Sequence, residues 1–234
     1  MPLGRGLTFN AAAALSFRSP TLNETLVSGM HPEPADFPIR PNPGLRPERA
    51  RSLELGLAYD RDIAGGALHL GATVFRTEVA DYIELDRKGT LFNAFYQYDN
   101  LAHVRIDGLE VEARFDTGAA YASLAGQILD GQNRDSGAAL ERVPPDRLVL
   151  TTGLRSADTR REGGARITLT GSKQGGTLRS DAWRTVDLFF RQDVGANATF
   201  GLALNNILDE SFTPHLDIQP AAGFNAQASL TFRF

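Results

Sequence analysis

The chain closes on Phe224-Asn-Ala-Gln-Ala-Ser-Leu-Thr-Phe-Arg-Phe234, and the alternation in this stretch decides how the rest is read. Side chains on a strand point to opposite faces in turn. Phe224, Ala226, Ala228, Leu230, Phe232 and Phe234 therefore share one face, and Asn225, Gln227, Ser229, Thr231 and Arg233 share the other. So complete an alternation predicts a strand whose two faces meet different surroundings. A sheet between a soluble core and water meets that condition. A sheet between hydrocarbon and a wet lumen meets it too.

The rhythm recurs upstream. Leu53, Leu55, Leu57 and Tyr59 alternate with Ser52, Glu54, Gly56 and Ala58, and Leu68, Leu70, Ala72 and Val74 with His69, Gly71 and Thr73. Near the start, Leu7, Phe9, Ala11, Ala13, Leu15 and Phe17 keep the period through an Ala-rich stretch, which is read as a strand and not as a secretory signal. About ten strands are expected by this reading: 7–18, 51–61, 66–83, 100–116, 119–129, 145–155, 164–173, 182–193, 197–207 and 223–234. One strand breaks step. Val104 and Ile106 hold one parity before Gly108, and Leu109, Val111, Ala113 and Phe115 the other after it. A bulge at Gly108 is expected to restore a single face; burial of the strand on both sides is the alternative.

The connections sort by length. Short turns at 62–65, 117–118 and 195–196 alternate with long segments at 19–50, 84–99, 130–144, 174–181 and 208–222. Short turns on one rim and long loops on the other are what an outer-membrane barrel shows. A soluble sandwich has no cause to sort them. Glu54, Asp187, Arg191 and Arg233 on the non-apolar face are costly against lipid and at ease in a wet lumen. Tyr59 and Trp183, near strand ends, suit either an interfacial girdle or ordinary packing. The expected fold is all-β: an antiparallel up-and-down transmembrane β-barrel.

Composition removes other classes. The net charge of -4 gives nucleic-acid binding no basic stripe to work with. The absence of Cys excludes disulfides and thiolate metal sites. No apolar run approaches the ~18 residues of a membrane helix, but barrel strands need apolar residues only at alternate positions. No Gly-x-Ser-x-Gly elbow, phosphate loop or His-Glu-x-x-His is present, so no enzyme is expected. Asp81, Glu84 and Asp86 lack the Gly-punctuated spacing of a calcium loop, and a solvated strand end is the plainer reading.

Residues 17–48 hold the most specific segment: Phe17-Arg18-Ser19-Pro20-Thr21-Leu22-Asn23-Glu24, then His31, then Asn42-Pro43-Gly44-Leu45-Arg46-Pro47-Glu48. It resembles the late extracellular loop of TonB-dependent outer-membrane receptors. There a strand ends in a Phe-Arg-Ala-Pro-like box and the next follows an Asn-Pro-Asn-Leu-like box. Val74-Phe75-Arg76-Thr77 with Asp81-Tyr82-Ile83, Ile106-Asp107-Gly108-Leu109-Glu110 and Leu204-Asn205-Asn206-Ile207-Leu208-Asp209 are similar to further phrases of that family, so the resemblance covers nearly the whole chain. The closing strand also resembles the terminal strand of outer-membrane barrels, in which Leu230, Phe232 and Phe234 would signal to the barrel-assembly machinery.

The resemblance implies a Gram-negative outer membrane, lipid around the protein, and a barrel of about twenty-two strands around a plug. Residues 1–234 are then expected to be the C-terminal portion of that barrel, with the N-terminal barrel half, plug and signal peptide outside it. The TonB complex would be reached only through the plug. Strands beginning mid-barrel leave an edge that hydrocarbon cannot satisfy. Closure of the ten as a small barrel or passive pore is the alternative, as is a non-transporting remnant of a truncated gene.

In the haem and haemoglobin branch, a His between the two boxes is an axial ligand of haem iron. His31 holds the comparable place, and a neutral imidazole suits iron. The implied ligand-binding set is His31 with the box residues Phe17, Arg18, Pro20, Asn42, Pro43 and Leu45. Haem is expected as transported ligand, with no resident cofactor and no other metal. Ser19 and Gly44 depart from that branch's usual Ala and Asn, and similar boxes occur in siderophore and cobalamin receptors. A solvated loop histidine is the plain alternative for His31. His69, His103 and His215 read as lumen or loop residues.

Overall fold

Alternation produces a strand at each of the ten expected places. The computed structural model describes residues 1–30, 38–63, 65–90, 92–174 and 179–234. Its elements are β1 (Pro2–Gly4), β2 (Leu7–Arg18), α1 (Leu22–Leu26), β3 (Gly29–Met30), β4 (Pro38–Arg40), β5 (Glu48–Ile63), β6 (Gly66–Lys88), β7 (Phe95–Asp116), β8 (Ala120–Asn133), β9 (Arg147–Arg155), β10 (Arg161–Thr170), β11 (Trp183–Val194), β12 (Ala198–Asn205) and β13 (Asn225–Phe232). The strands form one sheet in the order β1-β2-β5-β6-β7-β8-β9-β10-β11-β12-β13, with β3 and β4 at its side. Neighbours along this path are antiparallel, as an up-and-down wall requires. The sheet is open: β13 pairs with β12, and among the described residues nothing joins it to β1 or β2. Closure as a small ten-stranded barrel is therefore not what the chain forms.

Register keeps the two faces separate across the wall. One row of cross-strand partners runs Phe9, Leu57, Ala72, Val111, Gly126, Leu148, Leu169. The adjacent row runs Asn10, Gly56, Thr73, Glu110, Gln127, Arg147, Thr170. A slip of one residue on any strand would exchange these rows. The apolar face is left open: Leu53, Leu55, Leu57, Leu70, Val74, Ile128, Leu188 and Leu230 are all exposed large hydrophobics. A sheet that presents its apolar residues outward instead of packing them is built for hydrocarbon.

The bulge expected at Gly108 is absent. Phe75 pairs Gly108 and Gly108 pairs Leu129, one residue for one, with unbroken register on both sides. Glycine stands there because the Phe75 ring crosses it; an added Cβ would lie 2.2 Å from Phe75 Cζ. The same cross-strand arrangement recurs where Tyr121 covers Gly153 and Phe189 covers Gly164. The change of parity has another cause. Beyond Gly108 the inward residue Val104 is buried with Val79, Leu140 and Val143, because the 134–146 loop folds back onto the polar side of the sheet. The outward residues at that height turn charged instead, Arg76 pairing with Asp107 at 2.6 Å. Neither a bulge nor burial on both sides accounts for the parity change: only the inward side is packed, and that packed core sits among the long loops.

Candidate functional site

The two boxes of the 17–48 segment meet at the foot of one loop. Arg18, the last residue of β2, donates from Nε and Nη2 to Glu48 at 2.7 and 2.6 Å, and from Nη1 to Glu24 at 2.9 Å. Both carboxylates are buried. Glu48 also accepts from the Ile83 N–H at 2.9 Å, which ties the start of β5 to β6. Thr21 and Glu24 form a capping box on α1: the Thr21 hydroxyl accepts from Glu24 N–H at 3.2 Å and the Glu24 carboxylate accepts from Thr21 N–H at 2.8 Å. Such reciprocal bonds satisfy two orphan donors of a helix start. Burial works against the Glu24 charge, but the Arg18 guanidinium and the Thr21 N–H outweigh it and hold the carboxyl below its ordinary range.

The second box closes the foot. Asn42 donates from Nδ2 to the Tyr98 carbonyl at 2.9 Å, and its Oδ1 accepts from Gly44 N–H at 3.1 Å. Leu45 is buried against Ile83 and Tyr98. Asn100 accepts from Arg46 N–H at 2.8 Å and donates to the Asp81 carbonyl at 2.6 Å. Further out, β4 pairs in parallel with β7, and the Arg40 guanidinium lies 4.0 Å over the Phe95 ring. The second arm of the loop is thus strapped to the β6–β7 hairpin, and the first is tied in through the Thr25 carbonyl, which accepts from Asn42 N–H at 3.0 Å, and through Val27 against the Leu45, Ile83 and Tyr98 cluster.

Of the expected ligand set, Arg18, Asn42 and Leu45 come together in this foot with Pro20 half-buried nearby, and their partners lie within the chain. Phe17 points to the outward face, 77% exposed, opposite Arg49. Pro43 is exposed. His31 lies outside the described residues. Glu24 and Glu48, which hold the foot together, carry no mark in the alternation; Thr21-x-x-Glu24, a capping-box pattern, was the available signal for the first.

The remaining candidates separate. His69 bridges Asp60 (2.7 Å) and Glu112 (3.1 Å) on the polar face, and His215 joins two loops, Nε2 donating to the Glu141 carbonyl at 2.6 Å and Nδ1 lying 3.3 Å from the Ser180 hydroxyl. His103 is 4.0 Å from Asp135. Asp81 is engaged by Arg46 and Arg49 at 2.6 and 3.0 Å, and among the described residues no three His, Asp or Glu side chains gather as a metal site. Trp183 stacks on Phe212 at 4.0 Å, so it packs a loop instead of joining a girdle. Leu230 and Phe232 project from the outward face of β13, each 57% exposed, and Phe234 is fully open.

Residues 3–207 match a family model described as TonB dependent receptor-like, beta-barrel. The heme/hemopexin utilization protein C of Haemophilus influenzae (strain 86-028NP) is 27% identical over 253 residues, covering 97% of this chain and 35% of its own length. Among solved structures, the copper transporter OprC superposes with a TM-score of 0.82 at 19% identity, over 97% of this chain and 37% of its own. The Serratia marcescens hemophore receptor HasR, solved with its hemophore HasA and heme, gives 0.75 at 22% identity, over 100% of this chain and 38% of its own. The chain thus spans little more than a third of the length of each.

Proposed function

The chain belongs to the TonB-dependent receptor-like β-barrel family, and from that membership we propose that it forms part of the wall of a Gram-negative outer-membrane receptor taking up an iron complex, haem first. The observation that carries the choice of haem is the similarity to a heme/hemopexin utilization protein along 97% of the chain. The likeness to a copper transporter is one of fold alone at 19% identity. The named relatives are utilization, transport and receptor proteins, which supports a role without catalysis.

In this reading the outward face meets lipid and the polar face lines the lumen. His31, between the two boxes in sequence, serves as an outer axial ligand, a neutral imidazole being a good donor to haem iron. The plug and the rest of the barrel complete the receptor, and the plug carries the coupling to the TonB complex. Haem passes through as cargo. The test is a haem titration of the receptor followed at the Soret band, beside haem-dependent growth. His31→Ala should weaken haem binding by about tenfold or more, equal to one lost metal-ligand contact of ~1.4 kcal/mol or greater. An unchanged Soret titration would remove His31 from the iron, and failure of the wild type to bind haem at all would remove haem as the cargo.

A further inference from the structure

The outward apolar band ends at a defined level across the middle of the wall. Its last members are Leu53 on β5, Val74 on β6, Leu109 on β7 and Ile128 on β8. On each of these strands the next outward residue toward the long-loop rim is charged: Arg51, Arg76, Asp107 and Asp130. In this row the signs are sorted, basic on β5–β6 and acidic on β7–β8; one outward position further they reverse, with Glu78 on β6 opposite Arg105 on β7. Arg49 adds one more outward position to the basic end.

The carboxylates near this basic end are engaged by residues other than Arg51, two of them by Arg76 and Arg49 themselves. Asp107 accepts from Arg76 at 2.6 Å, Asp81 from Arg46 and Arg49, and Glu78 leans toward Arg105 at 3.8 Å. Arg51 stands opposite Glu78 across the strands, yet among the described residues its guanidinium makes no ion pair or hydrogen bond, and it is exposed. Its other cross-strand neighbour is Leu15, 82% exposed, and Arg49 is opposite Phe17. Guanidinium groups and bare apolar side chains therefore share one outward patch. A dissolved anion would use only the first of these; a lipid, with a phosphate above its acyl chains, uses both.

We propose that Arg49, Arg51 and Arg76, flanked by Leu15 and Phe17, seat the phosphate headgroup of an outer-leaflet lipid, with Arg51 as the free contact. The proposal rests on the reading of the outward face as a membrane surface. Arg51 lies two residues beyond Leu53, about 7 Å along the strand, the height at which phosphates cover hydrocarbon. Guanidinium is suited to the task because its planar fork matches phosphate oxygens.

The experiment reconstitutes the protein into phosphatidylcholine vesicles doped with lipid A. Flotation comes first: a protein that fails to float with the vesicles contradicts the membrane reading itself. For floated protein, lipid A retained through mild detergent extraction is counted by mass spectrometry. Arg51→Gln breaks no pair within the chain and should lower retention about fivefold, the share of one arginine near an anionic surface. Arg51→Lys, which keeps the charge but not the fork, should fall between the wild type and Arg51→Gln, and excess inorganic phosphate should leave the lipid in place. Equal retention by wild type and Arg51→Gln, or displacement by inorganic phosphate alone, would overturn the proposal.

Discussion

Arg18 holds two buried carboxylates while its own guanidinium remains 43% exposed. Removing it would leave Glu24 and Glu48 facing each other without a counter-charge. Loss of one partner from a fully buried pair costs ~3–5 kcal/mol, and the exposure of Arg18 lowers the expectation for Arg18→Met to about 2–3 kcal/mol. Faster amide exchange confined to residues 20–27 is the expected readout; unchanged exchange would show that the foot is held by apolar packing alone. The pH dependence has a definite sign. Because the folded state holds the Glu24 carboxyl below its ordinary value, its contribution is complete above about pH 4.3, the unfolded value, and is lost as pH falls through the lowered one. Proteolysis of the loop should accelerate over that acid window in the wild type, and Glu24→Gln should lose that part of the dependence. Arg18 itself was legible as a marked residue. Its pairing with Glu24 and Glu48, six and thirty residues away, was not, because an ion pair over such distances leaves no periodic trace.

At the level of elements, alternation located every wall strand but the three-residue β1, because each of the others has one face in a different medium from the other. It erred where that condition fails. β6 and β7 run on to Lys88 and from Phe95, beyond the apolar band, where loop packing and not the medium chooses the side chains. The helix α1, five residues long, is too short to show a period, and β3 and β4 are shorter still. Gly108 misled because a glycine at a parity change resembles a bulge, when it is a seat for the Phe75 ring. Gly108→Ala should therefore cost about 1–3 kcal/mol through overpacking, and much less in a Phe75→Ala background. Urea unfolding of the four proteins in the double-mutant cycle checks this; equal costs in both backgrounds would show that the two residues do not interact.

The whole molecule is a wall with sorted rims: tight turns at one end, and at the other long loops that carry the packed clusters and the Arg18 foot. Rim sorting and two-sidedness were readable because both are counted along the chain. The ligand was not, since the box residues spend their polar groups within the chain, Arg18 on Glu24 and Glu48 and Asn42 on the Tyr98 carbonyl, and the chain spans only about a third of the length of the relatives it matches. Such a wall requires its open apolar face to meet hydrocarbon and its reverse to meet water, and the chain's lack of cysteine allows a direct reading. Single cysteines placed at 52 through 58 on β5 of the bilayer-reconstituted protein, each spin-labelled, report access to oxygen and to a water-soluble nickel chelate. A period of two is predicted, with oxygen favoured at Leu53, Leu55 and Leu57 and the chelate favoured at Ser52, Glu54 and Ala58. Equal access on both parities, or chelate reaching the leucine positions, would show that the two faces do not meet different media.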